Sequence, residues 1–179
     1  MSIQPGRATS HGYQVFADYQ QVWLEDSQAQ VGAGENSGQQ VAALDVLVAQ
    51  LLSQEARERH VGVAAGCVCL LTARAMPVPV EVIIAGEAPS TDFTGWDRVV
   101  EASLDLPSGC LVIHGVSEYF PAAPRLALEP GTYRVRASFG GLDTVSPDAL
   151  EGADHYRVVL WPAKAAEPVI LYVKNERNG

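Results

Sequence analysis

Two amphipathic segments flank a long polar connection between Leu128 and Ala163, LEPGTYRVRASFGGLDTVSPDALEGADHYRVVLWPA. In Thr132–Phe139, Tyr133, Val135 and Ala137 alternate with Arg134 and Arg136. In His155–Trp161, Tyr156, Val158 and Leu160 alternate with His155, Arg157 and Trp161. A period of two places one set on each face of a strand. The apolar set must find a second layer to cover it, so the segment points to an antiparallel β protein displaying one acidic loop.

The rest of the chain repeats this grammar. Tyr13–Trp23 reads as one half-buried strand preceded by a loose arm, residues 1–12. Ser37 and Gln40 have the spacing of a capping box. Val41, Leu44, Leu47, Val48, Leu51 and Leu52 then recur at helical spacing, with Arg57, Arg59 and His60 late, where the helix dipole favours them, and Gly62 just past the end. Gly66–Arg74 is almost continuously apolar and suits a strand covered on both faces. Met76–Pro77 supplies a turn into Val78–Ala85, which predicts a hairpin. Arg98–Leu106 alternates, with Val100, Ala102, Leu104 and Leu106 inward and Glu101, Ser103 and Asp105 outward. Cys110–His114 and Val169–Lys174 are further strands, and Ser117–Pro124 crosses a sheet edge. About eight strands, with turn signals roughly every ten residues, predict an antiparallel β-sandwich with one added α-helix, a single domain over 1–179.

Composition limits the function. Hydrophobic residues make up 47% of the 179 residues, enough for a substantial core. The formal net charge is -9, from 21 acids against 12 bases. Counterion release from nucleic acid needs Lys and Arg, so neither nucleic acid nor an anionic membrane is an expected partner. A basic protein is, because opposite charge speeds encounter. No run approaches the roughly 18 apolar residues of a membrane span, and MSIQPGRATSHG has no secretory pattern. Three cysteines form no disulfide framework. Together these predict a cytoplasmic protein.

Three constellations are candidates for chemistry. Gly140–Asp154 carries Asp143, Asp148, Glu151 and Asp154 and no Lys or Arg, with Ser146–Pro147 expected to start a short helical turn. Its four carboxylates suit calcium, although their spacing does not match an EF-hand loop; protein binding and a merely solvated loop are the other readings. Arg134, Arg136, Arg157 and Trp161 share one sheet face if their strands pair. That face is either a ladder of ion pairs, with Glu101 and Asp105 intervening, or a site for an anionic or sugar-like ligand. Cys67, Cys69, Cys110 and His114 lack the spacing of a metal site, and no catalytic, metal or cofactor fingerprint occurs. An enzyme here would depend on His114 or His155.

The order YQVFADYQQVWLED, helix, GCVCLLTAR, VPVEVII, SLDLPSG, PGTYRVRASF resembles that of the competence protein J family. The resemblance covers most of the chain, through motifs of low specificity, and leaves Gly140–Trp161 as an extra segment. It implies a small acidic inhibitor that binds a nuclease of DNA uptake, and it assigns no individual inhibitory residue. The expectation is therefore a protein-binding or inhibitor-like module acting on a basic partner, with a small-ligand sandwich and an unrecognised enzyme as alternatives.

Overall fold

In the computed structural model, residues 8–29 and 38–174 are described. Eleven strands among them form two sheets. β1 (Thr9–Phe16) and β2 (Gln21–Asp26) are followed by α1 (Gly38–Leu51), α2 (Gln54–Arg59), β3 (Val61–Ala64), β4 (Cys67–Leu71) and β5 (Pro77–Ile84). Then come β6 (Arg98–Leu106), β7 (Cys110–His114), β8 (Arg125–Ala127), β9 (Gly131–Gly140), β10 (His155–Pro162) and β11 (Val169–Val173). The six-stranded sheet has the order β1-β5-β10-β9-β6-β11 and the five-stranded sheet the order β3-β4-β2-β7-β8. Every pair is antiparallel except β5 with β10, which run parallel from Tyr156↔Val80 to Leu160↔Ile84.

The alternation read from the sequence decides which residues enter the core. Val22 and Leu24 of β2, Val68 and Leu70 of β4 and Leu111 and Ile113 of β7 face Val80, Val100, Leu104, Val135, Phe139 and Leu160 of the opposite sheet. Each such side chain contributes about 1.5–3 kcal/mol on leaving water. The five-stranded sheet is covered on its second face too. There Trp23, Cys67 and Cys69 pack under Leu47, Val48 and Leu51 of α1. That second cover accounts for the continuous apolar run of β4.

Several expectations give way. Residues 1–7 and Ser37, with its capping box, lie outside the described residues, but Thr9–Gly12 of the expected loose arm are strand. Tyr13–Trp23 is two strands, because the chain turns through a 3-10 turn at Asp18–Gln20 and changes sheet. β4 and β5 are not a hairpin: each joins a different sheet, so Met76–Pro77 turns a corner between layers. The helical stretch is two helices. Ser53 caps α2, and His60, in the left-handed region, ends it. Gly62 sits inside β3, where a Cβ would lie 2.0 Å from the Leu51 carbonyl oxygen. No helix among the described residues is long and apolar enough to cross a membrane.

The registers gather four connections at one end of the sandwich. Phe16↔Pro77 and Gln21↔Leu71 place residues 17–20 beside 72–76. Trp23↔His114 brings residues 115–124 to the same end, and His155↔Gly140 with Tyr156↔Val80 brings 141–154 there.

Candidate functional site

The outer face of the six-stranded sheet carries the arginines. Arg134 pairs with Trp161 across β9–β10, Arg136 with Glu101 across β9–β6, and Arg157 with Ser138, so all share one face as expected. Two of the three are closed off. The Glu101 carboxylate receives Arg136 Nε at 2.9 Å and Nη2 at 2.8 Å on Oε1, and Arg134 Nη2 at 3.2 Å on Oε2. Arg134 Nη1 donates to Ser103 Oγ and the Ala166 carbonyl, and Arg136 Nη1 to the Pro89 and Ser90 carbonyls. The Arg136 guanidinium lies 5.6 Å from the ring centres of both Phe93 and Trp161. Two surface segments, one before β6 and one before β11, thus roof the pair, leaving Arg134 7% and Arg136 6% exposed. Asp105, the other carboxylate expected to intervene, instead accepts from Thr132 Oγ1 at 2.6 Å.

Arg157 has a different setting. Its Nε donates to Glu81 Oε2 at 2.6 Å, and its guanidinium lies 5.1 Å from the Trp96 ring centre. Ser10 Oγ donates to the second Glu81 oxygen at 2.7 Å, and His155 packs on Trp96 at 5.2 Å. The Ser10 hydroxyl, working against partial burial and aided by Arg157, holds the Glu81 carboxyl below its ordinary pKa. Gly12, Tyr13, Glu81, Trp96, His155 and Arg157 line an open groove of about 490 Å³. A Cβ at Gly12 would meet nothing within 4 Å, so the groove is unobstructed there. It offers an aromatic wall, one half-exposed cation and one carboxylate. Among the described residues no hydrogen bond joins His155 to Glu81; His155 Nδ1 lies 3.1 Å from the Ala153 carbonyl.

The connection 141–154 is built from its own hydrogen bonds. Its 3-10 turn is at Leu142–Thr144, and Ser146–Pro147 opens a β-turn closed by Ala149 N to Ser146 O at 2.8 Å, in place of the expected helical turn. Ser146 Oγ donates to Asp148 Oδ1 at 2.6 Å and accepts from Glu151 N at 2.9 Å, and Thr144 Oγ1 accepts from Ala153 N at 2.8 Å. The Ser146 hydroxyl and then the Leu150 amide hold the Asp148 carboxyl below its ordinary pKa. Asp148 and Glu151 are exposed, and Asp143 meets Lys174 Nζ at 3.3 Å. Asp154 departs from the group: it is fully buried, paired with Arg74, and accepts from Tyr156 Oη at 2.6 Å. Its role is to fix the base of the connection.

A second buried polar cluster lies under α1. Gln21, Trp23 and Glu25 of β2 stand beside Cys67 and Cys69 of β4 and His114 of β7. Trp23 Nε1 donates to Gln21 Oε1 at 3.0 Å, and His114 Nδ1 donates to the Gly115 carbonyl at 2.8 Å. Burial pushes both thiols up, Cys67 further through Cys69 and Glu25. No group of three or more His, Cys, Asp or Glu side chains among the described residues is arranged to hold a metal ion. Sequence reading missed Glu81 and Trp96. Glu81 was detectable as the one charged residue in VPVEVII, whereas Trp96 sits in a loop whose path no periodicity reports.

No family model and no curated protein matches this sequence. Two solved structures share its fold. ComJ from Bacillus subtilis, an inhibitor of the DNA-degrading activity of NucA, superposes with a TM-score of 0.59 at 12% identity, over 88% of this chain and 100% of ComJ. The protein described as crocagin biosynthetic gene J superposes with a TM-score of 0.57 at 20% identity, over 89% of this chain and 100% of its own. The chain therefore has a ComJ-like β-rich fold.

Proposed function

We propose that this chain is a protein-binding module of the nuclease-inhibitor type, acting on a basic protein. The observation that carries this reading is the connection 141–154, a braced loop that exposes Asp148 and Glu151 and contains no cation. It stands on the scaffold that ComJ also uses. With a net charge of -9, the chain attracts a basic surface at long range, and a preformed loop loses little entropy on docking. The closed Arg134–Arg136 pair favours this reading over an anion site on the same sheet, because both guanidinium groups already hold Glu101. Three unpaired thiols support a reducing compartment, and we place the protein in the cytoplasm.

The test is a DNA-degradation assay with two nuclease sources, purified NucA and the DNA-degrading fraction of the chain's own cell extract. The expected result is stoichiometric inhibition of one of them, with a complex that elutes as one species and weakens at about 0.5 M salt. Undiminished DNA cleavage in both assays, with no basic polypeptide co-eluting, overturns the proposal.

A second reading rests on the groove at Trp96, His155 and Arg157. Its volume of about 490 Å³ lies in the range of small-molecule sites. An anionic or sugar-like ligand would lie on Trp96 with Arg157 as its one charged contact. A thermal-shift screen of organic acids, phosphates and oligosaccharides should give a rise in Tm that Arg157→Ala removes. No rise with any of them eliminates this reading.

A further inference from the structure

We infer that the basic partner docks end-on, against an apolar patch raised by Tyr19, Tyr119 and Leu150 at the end of the sandwich where the acidic connection lies. The inference rests on the protein-binding reading above and supplies its interface. Tyr19 is 76% exposed, Tyr119 73% and Leu150 54%, and Phe16 and Val116 flank them at 50% and 40%. They come from three of the four connections that the strand registers bring together, or from a strand end beside them. A patch assembled from separate connections is a property of the fold, whereas one exposed tyrosine would be ordinary.

The backbone beneath the patch is held in unfavourable conformations. Tyr19 (φ 54°, ψ 22°), Gln20 (φ 59°) and Ala149 (φ 56°) all adopt left-handed geometry without being glycine. Ala149 immediately precedes Leu150. Left-handed geometry is disfavoured for residues with a Cβ and persists where the surroundings impose it. Here the Tyr19 side chain recovers little of that cost, since most of it is in solvent.

The bracing is continuous from one anchor to the next. Asp18 Oδ2 accepts from Ser117 N at 2.8 Å, tying the Tyr19 corner to the Tyr119 loop. At the same junction the backbones of residues 16 and 115 are so close that a Cβ on Gly115 would lie 2.0 Å from the Phe16 carbonyl oxygen. Gln20 Nε2 donates to the Ala73 carbonyl at 2.9 Å, and Ala73 N donates to Tyr156 Oη at 2.8 Å. Tyr156 donates to Asp154, which also pairs with Arg74, and Arg74 Nη1 reaches the Leu150 carbonyl at 3.4 Å. Anchors fixed before encounter lose little freedom on binding, and Tyr is enriched among residues that dominate interfaces.

Charge selects the occupant. Across residues 17–20, 72–76, 115–124 and 141–154 the only cation is Arg74, buried against Asp154. Arg125, just beyond, is exposed, but its guanidinium is engaged by the Phe120, Pro121 and Ala123 carbonyls. The exposed acids Glu118, Asp148 and Glu151 therefore rim the patch. Buried Asp18 adds a further carboxylate, whose Oδ1 has no hydrogen-bond partner among the described residues. A second copy would bring the same acids face to face. A basic surface with apolar recesses for two tyrosyl rings is complementary.

The test uses the full chain, with purified NucA and the DNA-degrading fraction of its own cell extract as probes. Tyr19→Gly relieves the left-handed strain, so its Tm should match or exceed that of the parent while inhibition weakens. Combined with Tyr119→Ala, the loss should reach about a hundredfold. Asp148→Lys with Glu151→Lys should slow association and flatten its salt dependence. Lys164→Ala, exposed beyond the far end of β10, should inhibit as the parent does. If the parent inhibits and the tyrosine variants inhibit equally well, the end-on surface is wrong and the protein-binding reading stands. If the parent inhibits neither probe, both fall. A drop in Tm for Tyr19→Gly overturns the claim that the corner is strained for binding.

Discussion

Glu25 and His114 meet at 3.2 Å, carboxylate Oε1 to imidazole Nε2, between side chains that are 0% and 3% exposed. The approach lacks hydrogen-bond alignment, and neither Glu25 oxygen has a hydrogen-bond partner among the described residues. The packing around them holds the two groups together, and they form an ion pair when His114 is protonated. Burial alone would pull the His114 pKa down. The Glu25 carboxylate, the Gly115 carbonyl and the negative charge of Glu118 outweigh burial and hold it above the ordinary value.

The folded state therefore binds the His114 proton more tightly than the unfolded chain does. The resulting stability is fully present below the unfolded pKa of about 6.5 and is lost as pH rises through the folded value. Urea midpoints should fall from about pH 6.5 upward, and His114→Gln should flatten that fall. His60 acts with the opposite sign. Burial and then Arg98 lower its pKa, so its neutral form is favoured and stability is lost as pH drops below about 6.5. His60→Gln should remove the acid-side loss alone. A midpoint independent of pH in the parent contradicts both assignments.

Asp154→Ala should cost about 3–5 kcal/mol, because it leaves Arg74 buried without its carboxylate. Tyr156→Phe deletes one hydroxyl that donates to Asp154 and accepts from Ala73, and should cost about 1–2 kcal/mol. The two should be non-additive in a double-mutant cycle measured by urea unfolding, since they share Asp154.

Glu101→Ala should open the arginine face. Removing the shared carboxylate leaves Arg134 and Arg136 as neighbouring buried cations and should destabilise by about 3 kcal/mol. Phosphate should then raise the Tm of the variant and leave the parent unchanged. An equal response in both would mean that the guanidinium groups are reachable behind Glu101.

Gly62→Ala and Gly12→Ala should differ sharply. A Cβ at Gly62 meets the Leu51 carbonyl at 2.0 Å, backbone against backbone, and should cost more than about 3 kcal/mol. At Gly12 it meets open space, and the change should stay within about 0.5 kcal/mol. Thermal unfolding of the two variants side by side is sufficient.

Thiol reactivity should separate the three cysteines. Cys67 and Cys69 are fully buried with raised pKa values, while Cys110 is partly accessible. Titration with a chromogenic disulfide should count one thiol in the native protein and three in urea. Three fast thiols before unfolding would show that α1 does not cover β4 stably.

Much of the sandwich is legible in the sequence, because alternation reports burial residue by residue. Val100, Ala102, Leu104 and Leu106 are inside and Arg134, Arg136 and Arg157 share an outer face, as the period of two requires. Which strands become neighbours is a different matter. β4 and β5 read as a hairpin, and nothing local distinguishes a hairpin turn from a corner between sheets. Carboxylates mislead in the same way. A carboxylate is ordinarily solvent-facing, yet Asp18, Glu25 and Asp154 are each buried by partners distant in sequence: Ser117 for Asp18, His114 for Glu25 and Arg74 for Asp154. The acidic connection was visible as composition, but Tyr19 and Tyr119 come to the same end of the sandwich only through the registers of β1, β2 and β7.

The parallel pairing of β5 with β10 has a consequence for the birth of the protein. Arg157 and Glu81 are 76 residues apart along the chain, and β10 fills the gap between β5 and β9. β1 and β5 leave the ribosome well before β10, so the second edge of VPVEVII has no strand to pair with until β10 has been synthesised. Distant pairings of this kind close slowly, and exposed apolar edges invite chaperones and proteases. A nascent chain halted before residue 155 thus carries a visible mark of incompleteness. The second end of the acidic connection is joined to the sheet only when that mark is erased.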